Sequence, residues 1–126
     1  MLKYYLYYEQ NSYSFIKEND DKIINAIYKE EENSDQVLQK SVAHIIKDIL
    51  KMNVKETTII LDKPQKITKI FSKEELTKEE RLLKLLIIQN HKRGNLIHFK
   101  SPYNPHLPTE YNYNLARKVL RKKGNI

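Results

Sequence analysis

Two carboxylates stand at the ends of short apolar runs, where they could lie close together. Glu9 closes the tyrosine-rich stretch "LKYYLYYE", and Asp62 closes the β-branched stretch "ETTIILD". The carboxyl ends of parallel strands meet at one edge of an open α/β sheet, where binding sites usually lie. If the two runs are neighbouring strands, Glu9 and Asp62 could meet at such a site. The simpler alternative is a pair of solvated carboxylates at strand ends.

A second group of residues, cationic and aromatic, lies in the last third of the chain. Residues 81–126 carry ten Lys and Arg residues against one acid, and the whole chain has a formal net charge of +7. Cations neutralise phosphates and aromatic rings stack on unpaired bases, so this pattern predicts contact with nucleic acid. A solvated lysine-rich surface is the alternative. The residues expected to contact nucleic acid are Lys92, Arg93, His106, Tyr111, Tyr113, Arg117, Lys118, Arg121 and Lys122.

The composition argues against several other kinds of functional site. The absence of cysteine excludes disulfides, thiolate metal sites and cysteine nucleophiles, and it fits a reducing cytosol. With two glycines in the chain, no glycine-rich phosphate loop can form. The four histidines lack the spacing of a zinc motif, and no serine has a nucleophile-elbow motif around it. The run "LLKLLII" is too short to span a bilayer, so we expect a cytoplasmic protein without a membrane segment.

Three short strands and a helix are predicted for the first half of the chain. The stretches "LKYYLYYE", "YSFIKE" and "KIINAIYKEE" are joined by polar turns and form a meander. Alternation in the first strand places Tyr4 and Tyr8 on one face and Tyr5, Tyr7 and Glu9 on the other. A 3.6-residue period in "QVLQKSVAHIIKDIL" then predicts a helix, with an N-cap at residue 34 or 35.

The second half alternates strands and helices. "ETTIILD" is a buried strand, "KPQKITKIF" a short helix, and residues 72–94 a long helix. That helix has two capping-box patterns, one at Ser72 with Glu75 and one at Thr77 with Glu80. "NLIHFK" is a strand, "SPYNPHLP" a loop, and residues 109–123 a final basic helix. We expect a single domain over residues 1–126, with residues 121–126 frayed.

The predicted fold class is α/β, with a mixed five-stranded sheet flanked by helices. A β-meander leads into βα units, so the first, fourth and fifth strands could pair in parallel. This order resembles the ribonuclease H-like fold. The stretch "TTIILDKPQKITKIF" is similar to the family's fourth strand and following helix, and "LIHFKSPYNPHLPTEYNYNLARKVL" to its last strand, loop and helix.

The resemblance implies positions for four carboxylates that hold two divalent metals in the family. Glu9 falls at the first-strand position and Asp62 at the fourth-strand position. The first-helix position falls on Leu38, one turn from Asp35, and the last-helix position falls on residue 112 or 113, an Asn and a Tyr. The loop histidine, His106, stands where family members often carry a mobile one.

Three functions follow from these observations. The main expectation is a ribonuclease H-like module that binds RNA or an RNA/DNA hybrid. It is expected to lack two-metal nuclease activity, since a pair of acids is a poor ligand set for two metal ions. One alternative is a metal-dependent nuclease that uses Glu9 and Asp62 with Mg²⁺ or Mn²⁺. The other is a protein-binding inhibitor or adaptor encoded by a mobile element. A homodimer is also compatible with the sequence.

Overall fold

A computed structural model of the chain describes residues 2–19, 22–29, 34–102 and 110–124. In chain order the elements are β1 (Leu2–Tyr8), β2 (Ser12–Asn19), β3 (Lys22–Lys29), α1 (Ser34–Leu50), β4 (Glu56–Ile60), α2 (Gln65–Thr68), α3 (Lys78–Lys92), β5 (Leu96–Lys100) and α4 (Glu110–Gly124). The short α2 continues directly into a 3-10 helix, Lys69–Ser72. This order confirms the predicted α/β succession.

The described strands form one mixed sheet with the order β3-β2-β1-β4-β5. The meander pairs β1 with β2 and β2 with β3, both antiparallel. β4 pairs in parallel with β1 on one side and with β5 on the other. The predicted five-stranded mixed sheet is therefore confirmed, and the carboxyl ends of β1, β4 and β5 lie at one edge.

The alternation in β1 divides the hydrophobic core into two layers. Tyr4 and Leu6 pack with α1 and α3 on one face of the sheet, and both are fully buried. Tyr5 points to the other face and packs with Ile16, Ile60 and Ala116 under α4. α1 and α3 thus share one face while α4 covers the other. None of the described helices is long and apolar enough to cross a membrane.

The tyrosines of β1 and β2 use their hydroxyls as well as their rings. Tyr4 donates a hydrogen bond to Asp48 on α1, and Lys17 donates another to the same carboxylate at 2.9 Å. Burial alone would raise the pKa of Asp48, but these two bonds hold it below its ordinary value. On the neighbouring strand, Tyr13 bonds to Nδ1 of His44 at 2.7 Å. Tyr4 and Tyr13 therefore join the sheet to α1 through their hydroxyls.

The start of α3 differs from the predicted boundary. Thr77 and Glu80 form the expected capping box, with bonds of 3.2 and 3.0 Å, and α3 begins after Thr77. Ser72 does not cap this helix, because it ends the 3-10 helix and donates its hydroxyl to the carbonyl of Lys69 at 3.0 Å. Both sequence stretches match the capping-box pattern, but α3 is capped by the box at Thr77 and Glu80.

Candidate functional site

The end of β1 places Glu9 beside α4. The main-chain amide of Glu9 donates to the carbonyl of Ser12 at 2.8 Å, which turns the chain from β1 into β2. The Glu9 carboxylate accepts a bond from the Tyr7 hydroxyl at 3.0 Å and lies 3.7 Å from Nε of Arg121. Burial and the bond to Glu9 raise the pKa of Tyr7, so Tyr7 is the donor at neutral pH. Glu9 is therefore already in contact with a cation of the chain.

A few small and aromatic residues dock α4 on the sheet. Ala116 is fully buried, and its carbonyl accepts a bond from the Ser14 hydroxyl at 2.5 Å. Tyr113, another of the predicted binding residues, is 4% exposed and packs edge-on against the Tyr7 ring with centroids 5.8 Å apart. Because Tyr113 is buried, its ring is not available for stacking on a base.

The first turn of α4 is fixed by a carboxylate of β2. Glu18 accepts bonds from the Tyr5 hydroxyl at 2.7 Å and from the Asn112 side chain at 3.4 Å. Burial first and the Glu18 carboxylate second raise the pKa of Tyr5 to about 12. Tyr5 therefore stays neutral and keeps donating to Glu18 over the physiological range. This network orients the face of α4 that bears the cations.

Two arginines of α4 lie along the flank that faces the end of β1. The guanidinium of Arg117 sits over the Tyr7 ring, 6.0 Å from its centroid. Nε of Arg117 is buried, and no hydrogen-bond partner for it is found in the described part of the chain. Arg121 follows one helical turn later and reaches Glu9. Both predicted binding residues thus converge on the carboxyl end of β1.

Lys118 and Lys122 are both exposed on α4. They are separated by one helical turn and therefore share a side of the helix. Tyr111 belongs to α4, but its side chain is not among the described ones, and His106 lies outside the described residues. We call the set Arg117, Lys118, Arg121 and Lys122 the α4 basic surface.

Lys92 and Arg93 do not belong to this surface. α3 packs on α1 and β5, on the face of the sheet opposite α4. Its last residues lead into the start of β5, at the amino edge of the parallel strands. Arg93 donates from Nη1 to the carbonyl of Leu50, at the end of α1, at 2.6 Å. Lys92 and Arg93 therefore lie at the edge of the sheet opposite the α4 basic surface, because α3 runs antiparallel to the parallel strands. Their predicted contact with nucleic acid stays a prediction.

Asp62 follows β4 at the same edge of the sheet as Glu9. The register pairs Tyr5 with Ile60, so Asp62 is level with Tyr7 on the neighbouring strand. Its side chain is half-buried, and its main-chain carbonyl accepts a bond from the Tyr8 hydroxyl at 3.2 Å. The structure therefore brings both predicted carboxylates to one edge, as the strand order required.

The described residues at this edge do not fit a two-metal centre. Within residues 2–19, 22–29, 34–102 and 110–124, no group of three or more His, Cys, Asp or Glu side chains could hold a metal ion. Leu38 is buried in the core at 1% exposure, and the side chain of Asp35 is not among those described. At the last-helix position, Asn112 bonds to Glu18 and Tyr113 is packed. The guanidinium beside Glu9 would also repel a divalent cation.

A lysine-rich groove, which the sequence analysis did not identify, lies across the other face of the same edge. It encloses about 700 Å³ between α1, α2 with its 3-10 extension, and the start of α3. The sequence feature that could have indicated this groove is the repeated lysine in "KPQKITKIFSK". The residues lining it include Gln36, Gln39, Lys66, Lys69, Lys73 and Thr77. Lys73 is paired with Glu80 at 2.7 Å, so part of this charge is already neutralised.

Comparison with solved structures assigns the fold. The chain is similar to the N-terminal RNase H domain of a Mycobacterium tuberculosis protein, solved as a fusion with maltose-binding protein, at a TM-score of 0.58 and 10% identity over 93% of this chain and 96% of that one. It is similar to RNase H1 of the halophilic archaeon Halobacterium salinarum at a TM-score of 0.57 and 9% identity, covering 96% of both chains.

A third similar structure is LC11-RNase H1 in complex with an RNA/DNA hybrid. Its TM-score is 0.53 at 10% identity, over 96% of this chain and 93% of that one. No protein-family model matches the chain, and no curated protein is significantly similar to it. The chain has a ribonuclease H-like fold, as the element order predicted.

Proposed function

We propose that this chain is a nucleic-acid-binding protein that contacts phosphates through the α4 basic surface and works without two-metal hydrolysis. The observation that carries the proposal is the placement of the cations. Lys118 and Lys122 are exposed, and Arg117 and Arg121 continue the positive charge to the carboxyl edge of the sheet. A row of cations along one helix can neutralise successive charges of a phosphate backbone.

An RNA/DNA hybrid is the first ligand to test. One structure of the same fold is a complex with such a hybrid. Because Tyr113 is buried, the cations of α4 are expected to contribute most of the binding. Cations contact phosphates, so we expect limited preference for base sequence.

Two features support a role without hydrolysis. Two-metal phosphodiester cleavage needs carboxylates that hold metal ions against both the attacking and the leaving oxygen. Here Glu9 is in contact with Arg121, and the last-helix position carries an amide and a phenol instead of a carboxylate. Asp62 matches the family position, and a single carboxylate is a poor ligand set for two metal ions.

The test is fluorescence anisotropy of labelled RNA, DNA and RNA/DNA hybrid over a salt series. The variant Lys118→Ala/Lys122→Ala should weaken binding and reduce the slope of log K against log salt by about 0.7–0.9 for each phosphate that the protein no longer neutralises. The matched control is Lys47→Ala/Lys51→Ala, which removes the same charge from exposed positions at the end of α1, with the same spacing.

Equal salt slopes for the two double variants would contradict the proposal. Absence of binding by the unmodified protein at low salt would contradict it as well. That second result would leave the protein-partner alternative, which does not require binding to nucleic acid.

A further inference from the structure

The ion pair between Glu9 and Arg121 is open to water. The two charged atoms are 3.7 Å apart, and the side chains of Arg121 and Glu9 are 54% and 42% exposed, respectively. Ion pairs of this kind hold weakly, because water screens them and the long side chains lose freedom on pairing. A stronger anion could therefore replace the Glu9 carboxylate on Arg121 without disturbing the fold.

Arg117 is held differently, by packing. Its guanidinium lies over the Tyr7 ring, and its Nε is shut off from solvent without a partner among the described atoms. The Tyr7 ring packs edge-on against Tyr113, and the Tyr7 hydroxyl donates a hydrogen bond to Glu9. A planar guanidinium positioned on an aromatic ring suits an oxyanion, because its remaining N–H groups form a fork. No carboxylate partner for Arg117 is found within the described residues.

We infer that Arg117 and Arg121 form a site for a backbone phosphodiester at the carboxyl end of β1, and that Glu9 is a carboxylate which this phosphate displaces. The inference rests on the proposed function and gives it a location at the edge of the sheet. Protein cations thus stand where the resemblance implied metal ions, and Glu9 competes with the ligand instead of holding a metal. The two accounts of Glu9 make opposite predictions for its removal.

The substitution Glu9→Gln separates these accounts. The amide has the same shape and its oxygen still accepts from Tyr7, but it no longer attracts Arg121. If Glu9 competes with phosphate, Glu9→Gln binds a short labelled RNA/DNA hybrid about two- to fivefold more tightly, as expected from the strength of an exposed ion pair. If Glu9 is a metal ligand, the variant binds the hybrid less tightly than the unmodified protein in Mg²⁺, and EDTA removes the difference.

Glu75→Gln is the matched control, since it removes the same charge from an exposed position away from α4. Arg121→Lys is the second variant. It keeps the charge but loses the guanidinium fork, so we expect weaker binding than for the unmodified protein. Thermal unfolding of each variant checks that the fold is kept.

A second readout does not require nucleic acid. The Nε–H resonance of Arg121 is followed by NMR during titration with inorganic phosphate, and it should shift at lower phosphate concentration in Glu9→Gln than in the unmodified protein. If the hybrid fails to bind but this shift occurs, the anion site holds and the proposed function fails. If the hybrid binds through Lys118 and Lys122 but Glu9→Gln behaves as Glu75→Gln does in both readouts, the inference is overturned and the proposed function stands.

Discussion

The hydroxyl of Ser14, near the start of β2, donates a hydrogen bond of 2.5 Å to the main-chain carbonyl of Ala116 in α4. Both residues are fully buried, and they are 102 positions apart in the chain. The two small side chains allow the helix to approach the sheet closely. This contact positions the α4 basic surface, because Arg117 and Arg121 follow Ala116 on the same helix.

The first prediction concerns this close approach. Ala116→Leu should lower the free energy of unfolding by about 1–3 kcal/mol, since there is no space under α4 for the added atoms. The displaced helix should also bind the RNA/DNA hybrid less tightly. Urea unfolding and anisotropy measure the two effects. Asn114→Leu, a partly exposed position on α4, is the control and should change neither by as much. An unchanged stability for Ala116→Leu would show that α4 is not packed as described.

The second prediction concerns acid stability at the start of α3. Glu80 is 4% exposed, bonded to Lys73 at 2.7 Å and to the amide of Thr77 at 3.0 Å. Burial alone would raise the pKa of Glu80, but the bond from Lys73 and the capping box hold it below its ordinary value of 4.5. The charged carboxylate therefore stabilises the fold above pH 4.5, and this contribution disappears as the pH falls through the lowered pKa.

Glu80→Gln should therefore unfold more easily than the unmodified protein at pH 7, by about 1.5–3 kcal/mol. The difference should shrink as the pH falls below 4.5. Thermal or urea unfolding between pH 7 and pH 3 checks this. Glu79→Gln, next in the chain and without the buried pair, should show little difference at any pH. A gap between Glu80→Gln and the unmodified protein that stays constant with pH would mean that the ion pair contributes nothing.

The fold was largely predictable because its elements are locally marked. The alternation of Tyr4 and Tyr5 in β1 anticipated the two layers of the core, and the Thr77–Glu80 box marked the start of α3. The choice between the two capping boxes was not predictable, since residues 72–75 satisfy the same local rule. Packing of the 3-10 helix through Ile70 decides it, and that contact is not visible in the sequence.

The residue types of the site were predictable, but the contacts between their side chains were not. Parallel pairing of β1 with β4 brought Glu9 and Asp62 to one edge, as strand order alone implied. The contact of Glu9 with Arg121 joins two ends of the chain and depends on how α4 docks. The position of Lys92 depends in the same way on the direction of α3. Both positions therefore depend on how helices pack against the sheet, and local sequence patterns do not show this packing.

The most direct test of the account asks whether the protein binds an RNA/DNA hybrid without cutting it. A labelled hybrid is mixed with the protein in Mg²⁺, then in Mn²⁺, and the anisotropy is followed over time before the strands are separated on a denaturing gel. We expect the anisotropy to rise and stay constant, with full-length strands on the gel and the same behaviour for Asp62→Asn. A falling anisotropy with shortened RNA, abolished by EDTA and by Asp62→Asn, would contradict the account and identify a metal-dependent nuclease.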